Sequence, residues 1–149
     1  MTTLRRLLIQ KSYTRIPLSY TKTNHFEIKA SLNGIEGDFI LDTGASNSCV
    51  GFEGIEKFHL TSEESDVKAA GAGAIDIHTQ LSKKNTLHIG TWKKTNIPLV
   101  LFDLTHVNEA LQNHGAKTVD GIIGADILKK GKAIIDYENQ CLYLKNRKK

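Results

Sequence analysis

Phe39, Ile40 and Leu41 run without a polar interruption into Asp42-Thr43-Gly44-Ala45-Ser46. A continuous apolar run of this kind reads as a strand covered on both faces, so the chain must fold a sheet with material on either side of it. A carboxylate at the end of such a strand needs a partner, water or a chemical use, because an ion carried into an apolar interior is costly. Upstream, Phe26, Ile28 and Ala30 alternate with Glu27, Lys29 and Ser31, and Asn33-Gly34 supplies residues that tolerate positive φ. Residues 25–42 are therefore predicted as a β-hairpin whose return strand delivers Asp42.

The rest of the chain continues in short runs. Residues 75–81 and 86–89 alternate and are predicted as a hairpin around a turn at 82–85, and 95–102 as a further buried strand in which Pro98 argues for an edge or a strand end. Leu104, Val107, Ala110 and Leu111 fall at helical spacing, which predicts a short helix over 105–113 stopped by Gly115. A second helix is expected over 125–130, ended by Gly131, followed by strands at 133–136 and 141–144 around a turn at 137–140. One helical turn is expected at 63–67, and a strand around 15–19 within an otherwise mixed stretch.

With 149 residues the chain is long enough for one core and too short for two ordinary domains. At 40% hydrophobic and 24% charged residues it is not disordered. No apolar stretch approaches the roughly 20 residues of a membrane-spanning helix, and residues 7–9 are too short for a signal-peptide core. A cytoplasmic location and no membrane partner are expected. The net charge of +4 comes largely from Arg147, Lys148 and Lys149. Without interleaved aromatics or a nucleic-acid motif, that tail reads as a solvated end, so no nucleic-acid partner is expected. Cys49 and Cys141 form no CxxC and sit in strand-like runs, as buried free thiols do.

Several pattern matches fail. Gly71-Ala72-Gly73 lacks the third glycine of a dinucleotide fingerprint, and residues 124–132 lack the spacing and the Ser or Thr of a phosphate loop. The six histidines form no close pair, so no metal and no cofactor are expected. An actin-like or sugar-kinase phosphate loop also uses Asp-x-Gly, but those folds need a longer chain and a second phosphate motif.

The apolar strand running into Asp42-Thr43-Gly44-Ala45-Ser46 resembles the active-site motif of the aspartic peptidases. About 80 residues later, Asp120-Gly121-Ile122-Ile123-Gly124-Ala125-Asp126-Ile127-Leu128 resembles the element that precedes the short helix of retroviral-type members. Ile134-Ile135-Asp136-Tyr137 and Leu142-Tyr143-Leu144 are similar to the closing hairpin of the cellular and bacterial single-domain branch. The resemblance spans roughly residues 26–144 and implies a mainly β, retropepsin-like acid protease fold, a closed barrel-like domain with one or two short helices. Residues 25–145 would form that domain, 1–24 an N-terminal arm serving as a dimer strand or an edge strand, and 146–149 a basic tail.

Peptide hydrolysis without a covalent intermediate needs a water that is deprotonated as it attacks and an acid for the departing groups. Two carboxyls close together do both, because they cannot both ionise and so share one proton. The sequence holds a single Asp-Thr-Gly, so the second carboxyl must come from a second copy, with Asp42 meeting its equivalent across a two-fold axis. By resemblance, Asp42, Thr43 and Gly44 are the catalytic set: Thr43 ties the loops of the two subunits and Gly44 lets the main chain approach a peptide or protein substrate. Ala45 and Ser46 line the cleft. A covering flap is expected at 69–77, with Gly71, Ala72, Gly73, Ala74 and Ile75 against the substrate. Ser46 and Ala125 stand where retroviral members place an acid and an arginine that brace the dimer, so that brace is missing. A different class of function, a dimerisation or peptide-binding module of the same fold with little turnover, is the alternative reading.

Overall fold

The structure, a computed structural model, describes residues 2–64 and 78–147. The hairpin forms as the sequence predicts: β3 (Phe26–Leu32) and β4 (Ile35–Leu41) pair antiparallel around Asn33 and Gly34, whose φ values of +52° and +85° make the tight turn. From β4 the ladder continues through β9 (Gly121–Ile123), β5 (Cys49–Gly51), β8 (Trp92–Phe102) and β7 (Gln80–Ile89), and β7 pairs back onto β3. Six strands thus close into a barrel with no open seam. Two-residue strands β2 (Ser19–Tyr20) and β6 (Glu63–Glu64) extend it beside β3 and β7.

A second sheet has the order β1 (Tyr13–Pro17), β11 (Cys141–Lys145), β10 (Ile134–Asp136). Residues of the N-terminal stretch therefore pair with the last strand, Tyr13 opposite Lys145 and Pro17 opposite Cys141. Helix α1 (Leu4–Gln10) precedes β1 and packs Leu8 against Cys141 and Tyr143. A one-turn helix, α2 (Gly54–Lys57), follows β5. The two helices expected from periodicity form with the expected bounds, α3 (Thr105–Asn113) and α4 (Ala125–Lys130). No helix among the described residues is long and apolar enough to cross a membrane.

The apolar lead-in is covered on both faces. Phe39 and Leu41 enter the main core with Ile28, Phe58 and Ile123, while Ile40 faces the other way, onto Leu111 of α3 and Val119. All three keep 8% or less of their surface, so each contributes on the order of 2 kcal/mol of burial.

Two local expectations change. Residues 82–85 do not turn: β7 runs through them as one long strand and the chain reverses at Gly90-Thr91. The polar stretch there forms a bulge, in which Lys84 takes φ +62° and the Asn85 amide turns inward to donate to Ser82 Oγ (3.1 Å) and the Ile97 carbonyl (3.2 Å). Glu63 and Glu64 belong to β6 rather than to a helical turn, because they pair with Leu81 and Gln80. Pro98 lies inside β8, just before the residues 100–102 that β5 pairs with, where the strand is locally an edge.

Candidate active site

Strand β9 runs between the two strands that flank the Asp42 loop. It is parallel to β4, with Leu41 opposite Ile123, and antiparallel to β5, with Cys49 opposite Ile122. The loop of residues 42–48 is therefore a bridge over β9, held at both feet. Such a crossing needs backbones closer than side chains allow. A Cβ on Gly121 would stand 2.2 Å from the Cys49 carbonyl oxygen, and one on Gly124 would stand 2.5 Å from the Ala45 carbonyl oxygen.

The loop is then stitched by hydrogen bonds. Asp42 N–H donates to the Ile123 carbonyl (2.9 Å), Ala45 N–H to the Asp42 carbonyl (3.2 Å) and Ala125 N–H to the Ala45 carbonyl (2.7 Å). Gly44 N–H donates to Asp42 Oδ1 (2.8 Å), which fixes the carboxylate plane from its own loop. Among the described residues this is the one hydrogen bond to the Asp42 side chain, and among them the Thr43 hydroxyl has no hydrogen-bond partner.

Asp42, Thr43, Gly44 and Ser46 are exposed in the single chain and Ala45 is half-buried. An aspartate buried with its lead-in strand is thus not what forms: burial stops at Leu41, and the loop leaves the barrel surface at Asp42. The structure brings residues 42–46 together in one turn. Gly71, Ala72, Gly73, Ala74 and Ile75, expected over the cleft, lie outside the described residues.

Sequence reading missed the two side chains that lock this loop. Asp126, at the start of α4, accepts from both Ser48 N–H (2.9 Å) and Ser48 Oγ (2.6 Å), and from its neighbour Ile127 N–H (2.9 Å). Ser48 Oγ in turn accepts from Gly124 N–H (2.8 Å). Ser48 is 1% exposed, so every polar atom there requires a partner. The available signal was a Ser immediately before the apolar Cys49-Val50 and an Asp inside Gly-Ala-Asp-Ile-Leu, both polar in apolar company. With Ser46 and Ala125 unable to pair, Ser48 and Asp126 supply the tie between loop and helix.

Asp120 anchors the other end of β9. Its carboxylate accepts from Asp38 N–H (2.9 Å) and meets Lys57 Nζ at 3.0 Å, while its own N–H donates to the Asp38 carbonyl (2.7 Å). On the hairpin itself, burial raises the Asp38 carboxyl, but Lys29 (2.8 Å) and Lys117 (2.9 Å) outweigh it and hold the group below its ordinary value. Glu27 is pushed up, first by burial and then by the nearby Asp38 charge. Cys49 and Cys141 are free and buried. Burial pushes the Cys49 thiol up to about 12, so it is not a thiolate nucleophile near neutral pH. No three His, Cys, Asp or Glu groups gather as metal ligands among the described residues.

Comparison with known proteins agrees with this architecture. A family model described as "Aspartyl protease" matches residues 28–127, which contain most of the hairpin, the Asp42 loop, β9 and the first half of α4. No curated protein matches the chain. Among solved structures, a retropepsin-like aspartic protease from Rickettsia conorii superposes with a TM-score of 0.57 at 20% identity, covering 89% of this chain and 90% of that one. The retroviral protease-like domain of Ddi1 from Leishmania major gives 0.54 at 17% identity, covering 83% and 90%. The EIAV protease in complex with the inhibitor HBY-793 gives 0.58 at 16% identity, covering 79% and 98%.

Proposed function

Since the chain belongs to the aspartyl protease family, with a retropepsin-like fold, we propose that it is an aspartic endopeptidase that works as a homodimer on peptide or protein substrates. The observation that carries this reading is a lone Asp-Thr-Gly on a rigidly tied loop whose carboxylate is exposed in the single chain. A carboxylate held from behind and open in front is half of a dyad. A second copy supplies the other half across a two-fold axis, and the pair then shares a proton.

In this mechanism one Asp42 carboxylate takes a proton from a water as that water attacks the peptide carbonyl. The protonated Asp42 of the other subunit donates to the carbonyl oxygen, and proton transfer to the nitrogen then releases the amine. Gly44 N–H, bonded to Oδ1, keeps each carboxylate in the plane of the attack. Thr43, whose hydroxyl has no partner among the described residues, ties one loop to the other. Gly44, Ala45 and Ser46 offer a low-relief wall to an extended substrate.

Asp42→Asn tests the reading. It removes the shared proton and preserves shape, so cleavage of an unstructured protein is expected to vanish while sedimentation still shows the dimer. Retained cleavage by that variant, or a wild type that cleaves as a strict monomer, defeats the mechanism. A dimer that binds peptide without turnover in the wild type is the outcome that favours a binding module.

A further inference from the structure

Helix α1 is anchored by one side chain. Leu8 packs on Cys141 and Tyr143, while Leu4, Leu7 and Ile9 keep 47%, 40% and 50% of their surface. Among the described residues these are the only large aliphatic side chains left exposed. A single exposed leucine is ordinary, but three such side chains on one seven-residue helix form a patch. Leu4 and Leu7, three residues apart, share one flank of the helix, and Ile9 stands on the other side of Leu8.

The charges around this helix are of one sign. Residues 1–24 and 127–149 carry twelve of the twenty Lys and Arg and two of the sixteen Asp and Glu, so both ends of the chain are basic, while the residues between them are acidic on balance. The fold brings those ends together. Lys145 lies opposite Tyr13 in the β1–β11 register, its Nζ 5.9 Å from the Tyr13 ring centre, and Asn146 N–H donates to the Ser12 carbonyl (2.8 Å). The Tyr13 hydroxyl donates to the Lys132 carbonyl (2.9 Å), just past α4. Because α1 is only about 10 Å long, its exposed Arg5 and Arg6 stand close to Lys11, Lys132 and Arg147, and Lys148 and Lys149 follow in the sequence. Among the described residues no carboxylate forms an ion pair with any of these cations.

We propose that α1 and the basic chain ends beside it seat the protein on an anionic lipid surface, with Leu4, Leu7 and Ile9 entering the headgroup region and the arginines and lysines meeting lipid phosphate and carboxylate groups. Helices that lie in a membrane interface combine apolar side chains with Lys and Arg in this way. The long basic side chains lay their stems along the apolar layer and keep their charges in water. The exposed aliphatics decide between polyanions: a nucleic acid matches the charge but gives leucines nothing to enter, and its single strands are held by bases stacked on aromatic rings. The expectation of no membrane partner rests on the lack of a spanning stretch and of a signal core, which bears on crossing a bilayer and not on lying upon one. Nothing in this attachment depends on the peptidase reading.

Vesicle binding tests the proposal. The full chain is mixed with vesicles of phosphatidylcholine alone or of phosphatidylcholine with phosphatidylserine, and the bound fraction is read by sedimentation. The wild type is expected to pellet with the anionic vesicles, to stay in solution with the neutral ones and to be released by salt. Arg5→Gln/Arg6→Gln is expected to weaken binding about 25-fold, from about fivefold for each basic side chain near an anionic surface. Leu4→Ser/Leu7→Ser, which spares Leu8 and with it the docking of the helix, is expected to weaken binding roughly tenfold or more. Lys83→Gln/Lys84→Gln removes the same charge as the arginine pair from the exposed bulge of β7 and is expected to change binding less than about twofold. Asp42→Asn is expected to bind as the wild type does, so loss of cleavage and loss of attachment are read separately. A wild type that stays in solution with anionic vesicles at low salt overturns the proposal. An equal loss in Lys83→Gln/Lys84→Gln also overturns it, by making net charge the cause. Binding that survives Leu4→Ser/Leu7→Ser overturns it as well, and competition by single-stranded RNA would then assign the surface to nucleic acid.

Discussion

Asp126→Ala is expected to cost about 3–5 kcal/mol of folding stability, a large loss for one side chain at the edge of a short helix. The figure follows from what the carboxylate holds. Ser48 N–H and Ser48 Oγ both donate to Asp126 Oδ1, at 2.9 and 2.6 Å. Hydrogen bonds to an ionised group contribute roughly 1.5–3 kcal/mol each. Ser48 is 1% exposed, so its N–H finds no ready substitute in water. The Ile127 N–H in the first turn of α4 loses the same acceptor, adding a few tenths. Because Asp126 itself is half-buried, some hydration of the gap offsets the loss and favours the lower half of the range. For a chain of this size the melting temperature falls by roughly 10 °C. Asp126→Asn keeps an oxygen at Oδ1 and sacrifices only the charge, so it is expected to cost about 1 kcal/mol. Urea unfolding followed by circular dichroism, at fixed protein concentration because an oligomer's stability depends on it, separates the two variants. An alanine variant within 0.5 kcal/mol of wild type would refute the reasoning. So would an asparagine variant as unstable as the alanine one, since that would make charge and not hydrogen-bond geometry the cause.

The other expectations concern the loop's feet and the charges on the hairpin. Gly121→Ala places a Cβ 2.2 Å from the Cys49 carbonyl oxygen and must separate β9 from β5, so it is expected to cost about 3 kcal/mol in a thermal melt, whereas Gly34→Ala, strained only by its φ of +85° with open space around it, costs about 1. Lys117→Met is expected to raise the Asp38 titration midpoint in a carbon-detected NMR titration; the Asp38 pair adds stability above its ordinary 3.8, lost as the pH falls through the lower folded value, so the variant's stability approaches wild type only in strong acid. Glu27 has the opposite sign. Its raised folded value favours folding fully below 4.5 and loses that contribution as the pH rises through the folded value, so Glu27→Gln is expected to raise the melting temperature at pH 7 and not at pH 4. Cys49 is expected to react with a disulfide reagent only on unfolding, and rapid modification of the native protein would contradict its burial.

The hairpin and helices α3 and α4 were legible because local patterns specify them. Asn33-Gly34 can make a tight turn, and Leu104, Val107 and Leu111 recur at a spacing only a helix converts into one face. The Asp42 loop was legible for a different reason: a charged residue following three apolar ones needs a use. What stayed hidden was set by distant partners. Lys83-Lys84-Asn85 has turn composition, but Asn85 found the Ile97 carbonyl across the strand pair and Asn33 on the hairpin, and the turn became a bulge. Ser48 and Asp126 lie 78 residues apart, and neither has a local pattern that predicts the other. Helix α1 lacks acidic residues in its first turn and basic ones in its last, and it gains its place from Leu8 packing on Cys141 and Tyr143.

The interlock of β9 also explains how an exposed carboxylate can be an accurate one. Side chains on a protein surface usually sample several rotamers, and catalysis requires reacting groups held to within a fraction of an ångström. Asp42 escapes this conflict because its constraint comes from the backbone behind it: Ile123 holds its N–H, Ala45 its carbonyl, and Gly44 its carboxylate. Those contacts exist only because Gly121 and Gly124 let strands pass without a Cβ between them. Among the described residues nothing bonds to the face toward solvent, which is open to completion by a second carboxyl. If a second Asp42 completes it, activity per chain must fall with dilution once the concentration drops below the dimer dissociation constant, while the barrel itself stays folded. Activity per chain that is constant from nanomolar to micromolar concentration, in protein shown to be monomeric over that range, would mean that the second proton-sharing group lies within one chain, and the exposed carboxylate would need another explanation.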